Sequence, residues 1–310
     1  MTRYKIILNP TSGRGTGAES LPFIEHKLTE YGLEFDITQT EHPWHAVGLA
    51  REAASAGYDY VVAAGGDGTA NEVLNGLMQA KLAGTGSSAM GILCVGRGND
   101  FAYGMRIPTD LAQGCRALLS PYLRKVDVGR VFGGQYPEGR FFGNGIGMGF
   151  DAVVGFEAVK MTWLSGFPSY IVAVLKTVFL YYKAPLVTIE FEDETIEQKA
   201  LMVSVMNGQR MGGGFMMAPK GKPDDGQFHL CIAREVSRPR IFALVPHFMN
   251  GTQATQEPIR MARARKVVIT ALEGVLPAHA DGETLCEDGD RLEAEILPRQ
   301  IEIISQPPEE

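Results

Sequence analysis

Tyr58-Asp59-Tyr60-Val61-Val62-Ala63-Ala64-Gly65-Gly66-Asp67-Gly68-Thr69-Ala70-Asn71-Glu72 is the stretch whose reading decides the fold. Its first half is a short apolar run, rich in Tyr and Val and closed by glycines, and it reads as a buried strand. Beyond the glycines, Val73, Leu74, Leu77 and Met78 recur at helical spacing. Thr69 and Glu72 have capping-box spacing, which sets the helix N-cap at Thr69. Gly65, Gly66 and Gly68 permit positive φ and let a ligand come close to the backbone. A helix N-terminus aims N–H groups and partial positive charge at that ligand, and phosphate is the usual guest. Asp67 in the same turn would repel phosphate unless a cation lay between them, so the stretch predicts a nucleotide phosphate site with Mg²⁺ near Asp67. The plain alternative is a strand-to-helix connection, where Gly and Asp are common.

Working outward, residues 1–127 alternate strand and helix signals. Tyr4 to Leu8 is a strand that ends in Asn9-Pro10-Thr11-Ser12-Gly13-Arg14-Gly15-Thr16-Gly17, a glycine-rich loop with hydroxyls. Leu21 to Tyr31 reads as a helix, Leu33 to Thr38 as a strand, and His45 to Ala56 as an Ala-rich helix. After the central stretch, Met90 to Val95 is a fourth strand, followed by Gly96-Arg97-Gly98-Asn99-Asp100-Phe101-Ala102 and a helix from Asp110 to Leu119. Such alternation predicts a three-layer α/β domain with a mostly parallel sheet. In these sheets ligands bind beyond the carboxyl ends of the strands, and the three glycine-bearing loops all leave that edge. No G-x-x-x-x-G-K-[ST] occurs, which excludes a P-loop protein. The early loop lacks the third Rossmann glycine at its required spacing, which argues against NAD redox chemistry.

From about Val126 strand-like runs dominate: Lys125 to Val131, Leu186 to Phe191, Ala200 to Met206, Gln227 to Ala233, Lys266 to Ala271, Leu292 to Leu297 and Ile301 to Ser305. Helical segments interrupt them at Ala152 to Met161, Phe167 to Tyr182 and Pro239 to Met249. This predicts a β-sandwich or barrel over 128–306 with a frayed tail at 307–310. Phe167 to Tyr182 is too short for a bilayer span, which takes about 20 residues, and it contains Lys176. It reads first as a core helix and second as a membrane-facing one.

The 310 residues suit two domains, and 45% hydrophobic with 21% charged residues describes a packed chain. A net charge of −7 argues against general nucleic-acid binding and leaves room for a local basic patch at a membrane. Cys94, Cys115, Cys231 and Cys286 form no C-x-x-C pair, which predicts reduced thiols in the cytoplasm and no zinc site. Met1 leads directly into a strand, so no signal peptide is expected. Oligomeric state is left open, a homodimer included.

Five motifs stand in order along nearly the whole chain: Asn9-Pro10-x-Ser12-Gly13, Gly65-Gly66-Asp67-Gly68-Thr69 with Asn71-Glu72, Gly98-Asn99-Asp100-Phe101-Ala102, Asp224-Asp225-Gly226 and Asp281-Gly282-Glu283. Together they resemble the diacylglycerol-kinase-type lipid kinases, nearest the soluble bacterial ones and more distantly sphingosine and ceramide kinases. The resemblance implies a nucleotide domain followed by a β-sandwich lipid domain, with the active site in the interdomain cleft. It implies ATP and Mg²⁺ as cofactors and a lipid hydroxyl as acceptor, met at the membrane surface by a peripheral cytoplasmic enzyme. On the matching positions, Asn9, Ser12 and the run Gly65, Gly66, Asp67, Gly68, Thr69, Ala70 and Asn71 would hold the ATP phosphates. Thr40 matches a nucleotide-touching position. Glu283 matches the proton acceptor, and Asp67 and Asp100 match the acidic partners around the reaction centre and its Mg²⁺. A structural Mg²⁺ is implied on the Asp225 side chain with backbone oxygens of Lys222 and Gln227; the alternative there is an Asp-Gly turn. The chain departs from the family at Arg97, which stands where Thr usually touches the nucleotide. Its guanidinium either replaces that hydroxyl with a charged phosphate contact or turns outward. Two rivals remain: a kinase of a soluble substrate such as NAD, which shares the Gly-Gly-Asp-Gly turn, and a non-catalytic nucleotide-binding regulator.

Overall fold

The structure is a computed structural model that describes residues 2–96, 98–160, 167–180 and 183–307. Arg97 therefore lies outside the described residues, as do the ends of the expected 152–161 and 167–182 helices and the tail from 308 on. The chain divides into two compact units, 1–126 with 299–310, and 127–298. The return of residues 299–310 to the first unit differs from the expected second domain of 128–306.

In the first unit the chain runs β1 (Arg3–Leu8), α1 (Thr16–Glu30), β2 (Glu34–Gln39), α2 (His45–Ser55), β3 (Tyr60–Gly65), α3 (Asp67–Leu82), β4 (Ala89–Cys94), α4 (Asp100–Met105) and α5 (Leu111–Leu119). It leaves within β5 (Tyr122–Gly133). The strands pair in parallel in the order β2-β1-β3-β4, with Ile303 of the returning strand beside Met90. Both faces are buried, as parallel strands require. Tyr4, Ile6, Leu8, Val62 and Ala64 pack with Ile24, Leu28, Cys115 and Leu118 of α1 and α5. Ile7, Val61 and Ala63, pointing the other way, are equally inaccessible, and α2 and α3 pack together. This is the three-layer α/β sandwich expected. The strand order reverses between β1 and β3, which makes the loops after those two strands the binding crevice.

In the second unit β6 (Tyr136–Phe142) and β7 (Gly145–Gly149) lead to α6 (Phe150–Lys160) and α7 (Phe167–Leu180). Then come β8 (Leu186–Phe191), β9 (Glu194–Met206), β10 (Phe228–Arg234), α8 (Arg238–Asn250), β11 (Ile259–Ala264), β12 (Lys266–Glu273), β13 (Leu276–Ala280), β14 (Glu283–Gly289) and β15 (Arg291–Ser305). The pairing is antiparallel. β9 belongs to both layers, bonding β8 through Glu194 to Lys199 and then β7 and β10 through its second half. One core lies between the layers, around Phe142, Val205, Phe228, Leu230, Ile269 and Leu285. A second lies between the outer face of β7, β9 and β10 and helices α6, α7 and α8. Of the sandwich or barrel expected from the strand runs, the sandwich is present.

Several strands escape the sequence pattern. Gly145, Gly147 and Gly149 make β7 read as a loop, and β13 is Leu-Pro-Ala-His-Ala, with little β-branched content. Both are strands because their neighbours bury them, and strand propensity yields to such context. The runs at 292–297 and 301–305 are one strand, β15, which carries Arg299 at φ 52°.

Candidate active site

Three glycine loops of the first unit come together at one edge of its sheet. Leaving β1, Asn9 donates its backbone N–H to Ala64 O (3.0 Å) and its side-chain amide to Thr69 Oγ1 (3.1 Å). Its Oδ1 accepts from Thr11 N and Thr11 Oγ1 in an Asx turn. The loops then touch. A Cβ on Gly13, which has φ 62°, would lie 2.5 Å from Val95 O. One on Gly96 would lie 2.4 Å from Gly66 Cα, and one on Gly66 would lie 3.6 Å from Ser12 Oγ. Glycine is what lets these turns close on one another.

Helix α3 begins at Asp67, not at a Thr69 cap; its N-cap is Gly66, with no side-chain cap bond. Thr69 is buried on Asn9, and Glu72 accepts instead from Ala46 N, at the start of α2 (3.0 Å). The capping-box reading fails because both side chains have longer-range partners. Ala70 donates its N–H back to Gly66 O, and Asn71 is inaccessible, with Asn75 on its Oδ1. Of the run 65–71, the atoms left facing solvent belong to Gly66, Asp67 and Gly68. Thr40, half-buried, is held at the end of β2 by its N–H to Leu8 O (2.8 Å).

Asp67 and Asp100 come together. Asp67 Oδ1 accepts from Phe101 N (2.8 Å), so it caps α4, whose own N-cap Asn99 makes no capping bond and donates its side-chain amide to Gly96 O instead. A Cβ on Gly98 would lie 2.8 Å from Asp67 Oδ2 and 3.9 Å from Asp100 Oδ2. Two carboxylates thus border one glycine, and Asp100 is buried. An all-oxygen set suits a hard ion such as Mg²⁺. The Cys94 thiol nearby is pushed up to about 12, first by burial and then by the Asp67 charge. It stays protonated and inert.

In the second unit Asp281 and Gly282 form a two-residue hairpin turn between β13 and β14, with φ 49° and 87°. Both positive φ values fit a type I′ turn, which Asp-Gly favours. Asp281 is buried, and its carboxylate accepts from the backbone N–H of Gly143 (2.7 Å), Asn144 (3.0 Å) and Gly145 (2.9 Å). Glu283, paired with Ala280, is half-buried just past the turn. The sequence motif thus divides into an anchor, Asp281, and a presented carboxylate, Glu283.

The Asp225 turn is different. Its Oδ1 accepts from Gln227 N (3.1 Å) and its Oδ2 meets His229 Nε2 (3.0 Å), while Gly226 N donates to Asp127 Oδ2. Lys222 is exposed. Among the described residues no group of three or more His, Cys, Asp or Glu side chains is placed to hold a metal. Each Asp225 oxygen thus has one protein partner within the turn and the strand that follows it.

Three polar residues of this unit, Asp151, Ser204 and His279, were passed over in the sequence reading. Gly147 lies between His279 of β13 and Ser204 of β9 in register, and Asp151 from α6 folds over it. A Cβ on Gly147 would lie 2.1 Å from Asp151 Oδ2 and 2.5 Å from His279 Nε2. Asp151 Oδ2, His279 Nδ1 and Ser204 Oγ are buried and make no hydrogen bond among the described residues. Asp151 also lines an apolar cavity with Val154, Val174, Met202, Leu244 and Phe248. At about 50 Å³ it is well below the roughly 150 Å³ void that admits benzene. The available signal was the alternation Gly145-x-Gly147-x-Gly149, which leaves one strand face bare for other side chains.

Glycine loops at a sheet's switch point, with two carboxylates beside them and a β-sandwich unit following, are the features to compare with known proteins. Residues 3–131 match the family model "Diacylglycerol kinase catalytic domain", and residues 144–305 match "YegS C-terminal NAD kinase beta sandwich-like domain". The chain belongs to the diacylglycerol kinase family and is an enzyme of that type. A diacylglycerol kinase of Staphylococcus saprophyticus is 27% identical over 91% of this chain and 88% of its own. One of Bacillus subtilis is 28% identical over 91% and 90%. A crystal structure of a diacylglycerol kinase from Bacillus anthracis shares the fold with a TM-score of 0.74 at 20% identity, covering 99% of this chain and 97% of that one.

Proposed function

We propose that the protein transfers the γ-phosphoryl group of ATP to the hydroxyl of a diacylglycerol or related lipid at a membrane surface. The observation that carries this is the meeting of Asp67 and Asp100 over Gly98, beside glycine loops that leave no room for side chains. Gly66, Gly68 and the α3 N-terminus bind phosphate oxygens through backbone N–H groups. Asp67 and Asp100 are the residues that would hold Mg²⁺, which when bound offsets charge on the phosphates. Glu283 takes the proton of the acceptor hydroxyl as the new bond forms, because an alcohol is a weak nucleophile at neutral pH. Asp281 keeps Glu283 in place through its three backbone bonds.

Labelled ATP, offered with a panel of lipids and with NAD, tests the assignment. Label in an organic-extractable product supports it; label in NADP, or in neither, overturns it. Glu283→Gln is expected to abolish transfer and keep ATP binding. Near-normal turnover by that variant removes Glu283 from the mechanism.

A further inference from the structure

Helix α7 presents two different sides. Ala173, Val174 and Val178 are buried, while Leu175 and Phe179, one turn apart, are 43% and 64% exposed. Phe179 meets Phe242 of α8 with ring centroids 5.8 Å apart. On α8, Arg238, Phe242 and Met249 share one stripe by helical spacing, and Met249 is 42% exposed. Exposed apolar side chains of α7 and α8 thus form one patch, with Arg238 at its edge. Large apolar side chains gathered on a surface mark a contact site.

The geometry points to the face of α7 and α8 as the surface that docks on an anionic lipid bilayer. This rests on the proposed lipid acceptor. Charge selects the occupant: neither helix contains an acidic residue, in a chain whose net charge is −7. Arg238 and Arg240 are exposed at the start of α8, and Arg238 makes no ion pair among the described residues. A second copy applied through the same face would set like charges against each other. An anionic headgroup layer meets the arginines while its acyl region receives Phe179 and Leu175. The inner sides of the same helices supply Val174, Leu244 and Phe248 to the apolar cavity, so the docked face is the one nearest the cavity lining.

Sedimentation with vesicles of phosphatidylcholine, alone or mixed with phosphatidylglycerol, tests the surface without an activity assay. Wild type is expected to bind the mixed vesicles. Phe179→Ser, at a side chain mostly outside the core, should weaken that binding roughly tenfold. Arg238→Ser should weaken it about fivefold on mixed vesicles only. Leu272→Ser, at a half-exposed leucine on β12, should bind as wild type. Normal binding by Phe179→Ser, equal loss in Leu272→Ser, or no binding of wild type to either vesicle overturns the assignment. Vesicle binding through Phe179 with no transfer to any lipid would instead remove only the functional reading. Transfer to a detergent-dispersed lipid with normal Phe179→Ser binding would remove only this surface.

Discussion

Asp281→Asn isolates what the buried carboxylate does. Asn tolerates the φ of 49° that the turn requires, so the backbone is not the variable. Oδ1 accepts from both Asn144 N and Gly145 N, and Oδ2 from Gly143 N. The amide of Asn can keep its oxygen on the first two, but its NH₂ then faces the Gly143 N–H, donor against donor. Losing one charge-assisted bond and stranding one buried N–H costs about 3 kcal/mol. For a cooperative unit of this size that is a fall in Tm of roughly 6–12 °C. Calorimetry reads it directly. Because Glu283 follows two residues on, turnover should fall by up to about 100-fold while ATP affinity holds, the pattern of a displaced catalytic group. A variant that melts within about 2 °C of wild type would refute the argument that Asp281 ties residues 143–145 to the hairpin.

Three further expectations follow from close contacts and charge. In Gly65→Ala the new Cβ would lie 2.4 Å from Thr69 Oγ1, so Thr69 must leave Asn9; ATP affinity, by titration, should fall at least about tenfold, while Gly48→Ala, with open space around it, stays at wild-type affinity. Gly147→Ala should destabilise the second unit by about 2 kcal/mol by driving Asp151 and His279 apart, and Gly155→Ala, 3.7 Å from His279, should melt near wild type. Glu157 is buried between Lys176 and Lys160; its carboxyl is held below the usual range, chiefly by the Lys176 bond, with burial opposing and Lys160 adding to the effect. A lowered folded pKa gives stability that is present above the unfolded value, about 4.3, and is lost as pH falls through the folded one. The two lysines are largely exposed, so Glu157→Gln should cost only about 1–2 kcal/mol at pH 7. That difference in Tm should vanish in acid; a pH-independent difference would count against the ion pairs.

Local order was legible where side-chain pattern and burial agree. Val61 to Ala64 had to be a strand and Val73 to Met78 a helix, because each apolar set fits one periodicity, and the glycines between them had to be a turn. The motif order carried the family, and with it Asp67, Asp100 and Glu283 as candidates. Three-dimensional packing decided the rest. Thr69 and Glu72 look like a cap at short range, yet each binds a residue remote in sequence, Asn9 and Ala46. Asp281 looks like part of a turn until residues 143–145, far earlier in the chain, supply three N–H groups to it. Asp225 looks like part of a plain Asp-Gly turn until Gln227 and His229 are seen on its two oxygens. In each case the hydrogen bond that wins is with a partner that only the folded chain brings within reach, or in an orientation that only its turn imposes. Sequence fixes which groups exist and their local geometry, while burial and long-range proximity select which of them become anchors and which face the ligand.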